Sequence, residues 1–414
     1  MRALDPQKNL AAVNGPWIVI GCAALVGALN YANSIALSRS MNPSDYGAYA
    51  TFTSLFLILG LVPNTLQQQA TFEVARGQSQ SNHAGRNIQA RPIIISSLVC
   101  TVGCLILAPL VSSWLHLPTI WLIGLAAIAP VTCVLGVMRG IAQGSDRGAD
   151  LGLNWLLEHG SKIVLTLTLW TLGGLFAAVT GLLVSVVIAA LVMHAVNGPQ
   201  KMSFDSSDKN ATRSNLLGAA GVAQLAQTVI AHSDVLLAQA FLSRADAGIY
   251  VAINVALRSI SMLAVAINTA MFAKLVQDGP TRQTVLVSSL PVMIGLGLIG
   301  LGLIAPQALI VNVLGEHYRP GAAWLIPAIL AATLAATSGI FLNIRLARGE
   351  AGSSLILALG ALVQVALILA FHGNAIEISS AGAGAMLVTT LALIALHLTS
   401  SLNPKEPRHV LQRL

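Results

Sequence analysis

Apolar runs of about 20 residues recur along the chain from residue 16 to residue 400, separated by short polar segments. A helix of that length, at 1.5 Å per residue, spans the ~30 Å hydrocarbon core of a bilayer. Backbone groups in hydrocarbon must be satisfied within their own segment unless a barrel closes, and these runs lack the ~10-residue alternation of barrel strands. The pattern therefore predicts helices near 16–38, 46–74, 91–113, 118–138, 149–171 and 174–195. A second set follows near 213–241, 246–273, 284–312, 321–344, 352–371 and 379–400. The fold class is an all-α integral membrane protein of about twelve transmembrane helices.

Composition agrees: 55% of the 414 residues are hydrophobic and only 9% charged, where soluble domains carry roughly 25% charged residues. The 22 Lys and Arg give an orientation. With a cytoplasmic N-terminus, 17 of them, including Arg139, Arg147, Arg345 and Arg348, fall on inside segments. Arg39, Arg244 and Arg319 fall outside, and Lys162 and Arg258 lie within helices. So strong a bias over short loops is the positive-inside rule, and it predicts both termini in the cytoplasm. The net charge of +7 is dispersed over loops that face anionic headgroups, which argues against a nucleic-acid partner. Cys22, Cys100, Cys104 and Cys133 lie in apolar runs without metal-binding spacing, so no metal or other cofactor is expected. The first apolar stretch reads as an uncleaved helix rather than a signal peptide, since eleven more follow.

A repeat appears at an offset of 201 residues: SMNPSDYGAYA at 40–50 overlays FLSRADAGIYV at 241–251, matching Asp45 with Asp246, Gly47 with Gly248 and Tyr49 with Tyr250. Asn42 with Asp45, and Ser243 with Asp246, have capping-box spacing, Pro43 suits a first helical position, and the Tyr suits an interfacial belt. Two six-helix halves with the same orientation follow, related by a pseudo-twofold axis along the membrane normal. The expected divisions are an N-terminal bundle at 1–195, a cytoplasmic linker at 196–212, a C-terminal bundle at 213–400 and a cytoplasmic tail at 401–414. The Asn210-Ala-Thr212 sequon falls on the cytoplasmic linker, where glycosylation is not expected.

Ionisable groups cost ~2.5–3.5 kcal/mol at the centre of a membrane helix on insertion scales, so they face a cavity or a partner. Asn254, Arg258, Ser261, Val265 and Asn268 fall on one stripe of the eighth helix, and Gln224, Gln227, Ala231 and Asp234 share a face of the seventh. Both stripes are expected to line a wet space between the halves. The repeat offset places Gln67 opposite Asn268, Leu57 opposite Arg258 and Asn33 opposite Asp234, with Asn30 one turn from Asn33. In the fifth helix Asn154, Glu158, Ser161 and Lys162 share a broad face, with Glu158 and Lys162 at the spacing of a self-neutralising pair. Arg258 is either a structural arginine, held by Asp234 or by backbone carbonyls, or an anion site whose planar fork matches phosphate oxygens. Lys162 is either the partner of Glu158 or a substrate contact. Asp234 and Glu158 are candidates for ion coupling or for charge partners.

Gly295-Leu-Gly297-Leu-Ile-Gly300 matches a nucleotide-binding fingerprint but sits inside an apolar helix, where close packing explains it. Walker A, HExxH and GxSxG patterns are missing from the sequence, and the acids Asp45, Asp246, Glu316 and Glu377 are scattered over short outside loops. An enzyme is not expected.

NPSDYGAYATFTSLFLILGLV after the first helix, RGIAQGSDRGADLGLNWLLE at the fourth-to-fifth junction and HSDVLLAQAFLSRADAGIYVAINVALRSI in the second half resemble the Wzx-type polysaccharide-export flippases. These belong to the multidrug/oligosaccharidyl-lipid/polysaccharide (MOP) exporter superfamily, and the resemblance covers nearly the whole chain. It implies a MATE-like V-shaped fold that translocates undecaprenyl-diphosphate-linked oligosaccharide across a bacterial inner membrane by alternating access. The product would feed O-antigen, capsule or exopolysaccharide assembly, with a polymerase and chain-length machinery as implied partners. The resemblance also implies cationic cavity lining, for which Arg258 and Lys162 are the available positions, with Asn254, Ser261, Asn268, Gln67 and Asn33 as sugar contacts. The alternative within the superfamily is a cation-coupled small-molecule antiporter using Asp234.

Overall fold

The computed structural model describes residues 6–80, 87–198, 201–203, 214–258, 260, 289–347 and 352–402. Its helices, in chain order, are α1 (Pro6–Ser40), α2 (Pro43–Leu59), α3 (Leu61–Gln80), α4 (Ala90–Leu115), α5 (Thr119–Gly144), α6 (Gly148–Asn197) and α7 (Ser214–Phe241). There follow α8 (244–258 among the described residues), α9 (Leu290–Ile304), α10 (Pro306–Val313), α11 (Leu325–Ala347), α12 (Gly352–Ala370) and α13 (Ala375–Leu402). A 3₁₀ segment, Glu316–Trp324, leads into α11, and two three-residue strands, β1 (Asn87–Gln89) and β2 (Lys201–Ser203), pair in parallel. Among the described residues seven helices are long and apolar enough to cross a membrane, or eight if α9 and α10 form one broken span. Ser261, Val265 and Asn268, most of the expected linker, and the tail beyond 402 lie outside the described residues.

Four departures from the expected helices have local causes. The second helix starts at Pro43 rather than 46 and breaks at Gly60, because Pro63 has no N–H for the Leu59 carbonyl. The fifth and sixth helices are the two arms of α6, which turns at Gly173 and Gly174; Gly174, at φ 65°, is in the left-handed region that glycine tolerates. Arg147 bonds the Asn197 side chain and Asn154 donates to the Ala189 carbonyl at 2.8 Å, so the arms run antiparallel. The helix expected over 284–312 ends at Ile304 and resumes at Pro306 with a 112° bend, since the residue before a proline avoids helical geometry. Finally, α5 continues past 138 to Gly144, carrying Arg139 inside a helix instead of a cytoplasmic loop.

The chain forms two compact units, Met1–Leu37 with Thr51–Lys209, and Ser38–Ala50 with Asn210–Leu414. In the first unit, α4 turns Leu98, Val99, Ile106 and Leu110 outward and buries few side chains, as a lipid-facing helix should. Its neighbour α5 is far more buried and packs on α3 through glycines four residues apart. A Cβ on Gly136, Gly140 or Gly144 would lie 2.4, 2.4 or 2.5 Å from the carbonyl oxygens of Pro63, Gln67 and Thr71. Matching steps of four on both helices make them parallel, with backbones in contact along two turns. Around that seam Leu66, Ala70, Ile93, Cys133, Val137 and Ile141 form a buried cluster.

In the second unit the two copies of the repeat motif meet at their glycines. A Cβ on Gly47 would lie 2.7 Å from Gly248 Cα, and one on Gly248 would lie 1.8 Å from the Pro43 carbonyl oxygen. Both motifs cap their helices: Asn42 Oδ1 accepts the Asp45 N–H at 2.9 Å, and Ser243 Oγ accepts the Asp246 N–H at 3.2 Å. The tyrosines are not interfacial. Tyr46, Tyr49 and Tyr250 are buried, because the close approach of the glycines turns this face of α2 and α8 inward. In the nucleotide-like string of α9 only Gly295 is pressed against a neighbour, Thr333 of α11, while Gly297 and Gly300 have open space beside them.

The seam between α3 and α5 predicts that Gly140→Ala lowers stability by about 1–3 kcal/mol. Gly103→Ala on α4, where a Cβ meets nothing within 4 Å, should be neutral or slightly stabilising. Thermal unfolding of both variants in detergent checks the contrast.

Candidate functional site

In the first unit the leading arm of α6 carries a polar ladder at four-residue steps: Asn154, Glu158, Lys162 and Thr166. Four-residue steps put these side chains one above another on one helix face. Neighbouring helices engage each rung. Arg139 of α5 forms an ion pair with Glu158, both side chains being 13% exposed, and its Nε donates to Asn154 Oδ1 at 2.8 Å. Lys162 donates to Asn30 Oδ1 on α1. Thr166 Oγ donates to the Lys162 carbonyl at 2.7 Å and lies 3.3 Å from Asn33 Oδ1.

The self-neutralising pair of Glu158 with Lys162 is therefore not formed. Glu158 is taken by Arg139, whose guanidinium reaches the carboxylate and the Asn154 amide together, and Lys162 rests on a neutral amide. A buried carboxylate gains more from a forked donor than from a point charge along its own helix. Of the other expected residues, Asn33 is buried beside this ladder. Gln67 is not part of it. Its Nε2 donates to Gln143 Oε1 at 3.0 Å across the seam of α3 and α5.

In the second unit Arg258 of α8 donates to the Ala231 carbonyl of α7. Among the described residues no ion pair joins it to Asp234. Asp234 instead accepts from the Tyr250 hydroxyl at 3.4 Å, and its other oxygen is buried with no hydrogen-bond partner among the described residues. His232, two residues before Asp234, has a buried Nδ1 in the same condition. Asn254 turns back to its own helix and donates to the Tyr250 carbonyl at 3.0 Å. Ser261 and Asn268 lie outside the described residues, so the stripe is placed only as far as Arg258.

Arg139 and Gln364 were not among the expected site residues. Gln364 of α12 is buried and donates to the Ile230 carbonyl at 3.0 Å and to Ser233 Oγ at 3.1 Å, tying α12 to α7. Subtracting the repeat offset places Gln364 at Ile163, beside Lys162, and Ser233 at Ala32, beside Asn33. The offset was thus the available signal: equivalent helix pairs are bridged by polar groups in both halves, with a cation in one and an amide in the other. For Arg139 the signal was its position four residues after Leu135 and seven after Thr132, which continues a buried face of α5 past the expected helix end.

The family of the chain is decided by its sequence over a long stretch: the model of one family, described as polysaccharide biosynthesis protein, matches residues 15–276. The chain belongs to the polysaccharide biosynthesis protein family. Comparison with curated proteins gives no significant match. Among solved structures, an inward-facing multidrug resistance MATE family transporter of the MOP superfamily aligns with a TM-score of 0.67 at 18% identity, covering 95% of this chain and 100% of that one. An outward-facing MATE family transporter aligns with a TM-score of 0.55 at 16% identity, covering 98% of each. A MOP superfamily transporter from Pyrococcus furiosus, described as having a binding pocket of reversed polarity, aligns with a TM-score of 0.55 at 18% identity over 94% of this chain and 96% of that one. At these identities the likeness is one of fold. This polysaccharide biosynthesis family member therefore has the helical fold of the MOP superfamily transporters it aligns with, and its long apolar helices make it a multi-pass membrane protein.

The Arg139–Glu158 pair predicts a steep asymmetry between single and double changes. Arg139→Met alone should cost about 3–5 kcal/mol by leaving a buried carboxylate uncompensated, whereas Arg139→Met with Glu158→Leu should recover most of that loss. A double-mutant cycle on melting in detergent measures it.

Proposed function

We propose that this transporter flips a polyprenyl-diphosphate-linked oligosaccharide across a bacterial inner membrane, with both chain termini in the cytoplasm, to supply the assembly of O-antigen, capsule or exopolysaccharide. The observation that carries the reading is the division of charge on the ladder of α6. Because Arg139 holds the Glu158 carboxylate, the Lys162 ammonium has no direct ion pair among the described residues, feels Glu158 only at longer range, and rests on a neutral amide. An ammonium has three donors, and contact with Asn30 engages one of them. Such a group is suited to a diphosphate, which needs cationic donors once it leaves water.

Arg258 supports the same reading from the other unit. Its guanidinium is steadied by a backbone carbonyl, which positions the fork without neutralising it. The sugar head requires amides and hydroxyls, which Asn30, Asn33 and Thr166 supply near Lys162. The polyprenyl tail needs no site, since it stays in lipid throughout. A polymerase and chain-length machinery would take the flipped product.

A second reading rests on Asp234. One of its oxygens is buried with no hydrogen-bond partner among the described residues, the condition of a carboxylate that binds a proton or a sodium ion during a cycle. In that reading the protein is a cation-coupled antiporter of small molecules.

Reconstituted vesicles loaded with fluorescent lipid-linked oligosaccharide separate the two. Lys162→Ala and Arg258→Ala should each abolish flipping while leaving the amount of protein in the membrane unchanged; wild-type flipping by both variants removes the export reading. Asp234→Asn should leave lipid flipping intact under the export reading. Loss of gradient-driven ethidium efflux in Asp234→Asn, alongside no lipid flipping by the wild type, would establish the antiporter.

A further inference from the structure

At one end of the second unit the loop between α7 and α8 and the loop between α12 and α13 line a half-open cavity of about 260 Å³. Its wall includes Phe241, Ser243, Asp246, Trp324, Asn374 and Ile376. Resting on the export reading above, we propose that this cavity is a saccharide subsite, which holds one pyranose ring of the glycan head on the non-cytoplasmic side of the membrane.

The lining has the mixed character that a sugar ring requires, an aromatic face for its C–H surface and fixed polar groups for its hydroxyls. Phe241 stacks with His372 at a ring-centroid distance of 4.1 Å and remains 37% exposed, so a flat apolar surface is held at the mouth. Two helix starts supply the polar groups. Ser243 Oγ donates to Asp246 Oδ2 at 2.7 Å, which fixes the carboxylate and leaves its remaining lone pairs for hydroxyl donors. Asn374 donates to Glu377 Oε1 at 2.8 Å and accepts the Glu377 N–H at 2.9 Å, so its amide is held in one orientation with a second N–H to spare. Trp324, 7% exposed, adds part of its ring to the wall. The cavity is below the ~300–1,000 Å³ of drug-sized pockets, which fits a single ring better than an oligosaccharide.

The repeat offset carries Phe241 to Ser40 and Asn374 to Gly173, so these two side chains have no counterpart at the same positions of the first half. The capping role of Asp246 is shared with Asp45, but the aromatic wall and the Asn374 amide belong to the second half only. The charge pattern also gives the side of the membrane, because the two loops fall on segments that the positive-inside bias assigns outside.

The test uses the full chain in lipid nanodiscs and free monosaccharides without lipid or phosphate: glucose, galactose, rhamnose and N-acetylglucosamine, followed by saturation-transfer NMR. At least one sugar should receive saturation. Phe241→Ala should weaken its binding about five- to tenfold. Asn374→Ser, which keeps a helix-capping side chain but removes the amide, should weaken it similarly. No transfer to any of the four sugars, or transfer that Phe241→Ala and Asn374→Ser both leave unchanged in correctly folded protein, overturns the site. Vesicle flipping is read separately: sugar binding without lipid flipping keeps the site and removes the export reading, and flipping without sugar binding does the reverse.

Discussion

Hydrocarbon offers no water to a charged side chain, so every ion inside a membrane helix must find its counter-group in the protein. In the first unit that constraint is met by Arg139, which crosses from α5 to Glu158 and Asn154 on α6. The charge left on Lys162 is a consequence of this choice and not an independent feature. With Glu158 already engaged, the ammonium one turn further along is held by Asn30, an amide that orients it without forming an ion pair. The anion site proposed at Lys162 thus depends on a structural ion pair one turn away.

The two halves use one scaffold for different chemistry. The helix pair α1 and α6 is bridged through Lys162, Thr166, Asn30 and Asn33, and the pair α7 and α12 through Gln364, Ser233 and the Ile230 carbonyl. By the same offset Asn33 is replaced by Asp234 and Leu57 by Arg258. Lys162 and Arg258 therefore have different supporting casts, a neutral amide for the ammonium and a backbone carbonyl for the guanidinium. Such asymmetry on a symmetric frame suits a substrate whose two ends differ, one charged and one hydroxylated.

Helix number, membrane class and the repeat were legible because they rest on long patterns: apolar runs of a fixed length, and capping residues at a fixed offset. Asn42 with Asp45 and Ser243 with Asp246 cap their helices as their spacing suggests. What escaped was decided by contacts distant in sequence. Arg139 looked like a loop residue because its charge ended an apolar run, and only the carboxylate on another helix makes it an interior one. Glu158 and Lys162 had favourable spacing, but a better donor nineteen positions away won the carboxylate. Tyr49 and Tyr250 read as interfacial by type and position, yet glycines that let the backbones touch drew them into the core. The breaks at Gly60 and at Ala305 before Pro306 were written in the sequence as local prolines, masked there by the continuity of the apolar run.

The contact of Gly47 with Gly248 has a consequence for how the chain is made. Residues 38–50 belong to the second unit, although they are translated with the first. At about 5–20 residues per second, the ribosome needs roughly 10–40 s to add the 201 residues between the two glycines. During that interval the start of α2 is already in the bilayer with its bare backbone facing lipid or the insertion machinery. Biogenesis must therefore shelter this half-turn of glycine and proline until its distant twin emerges, and slowed synthesis would prolong its solitude.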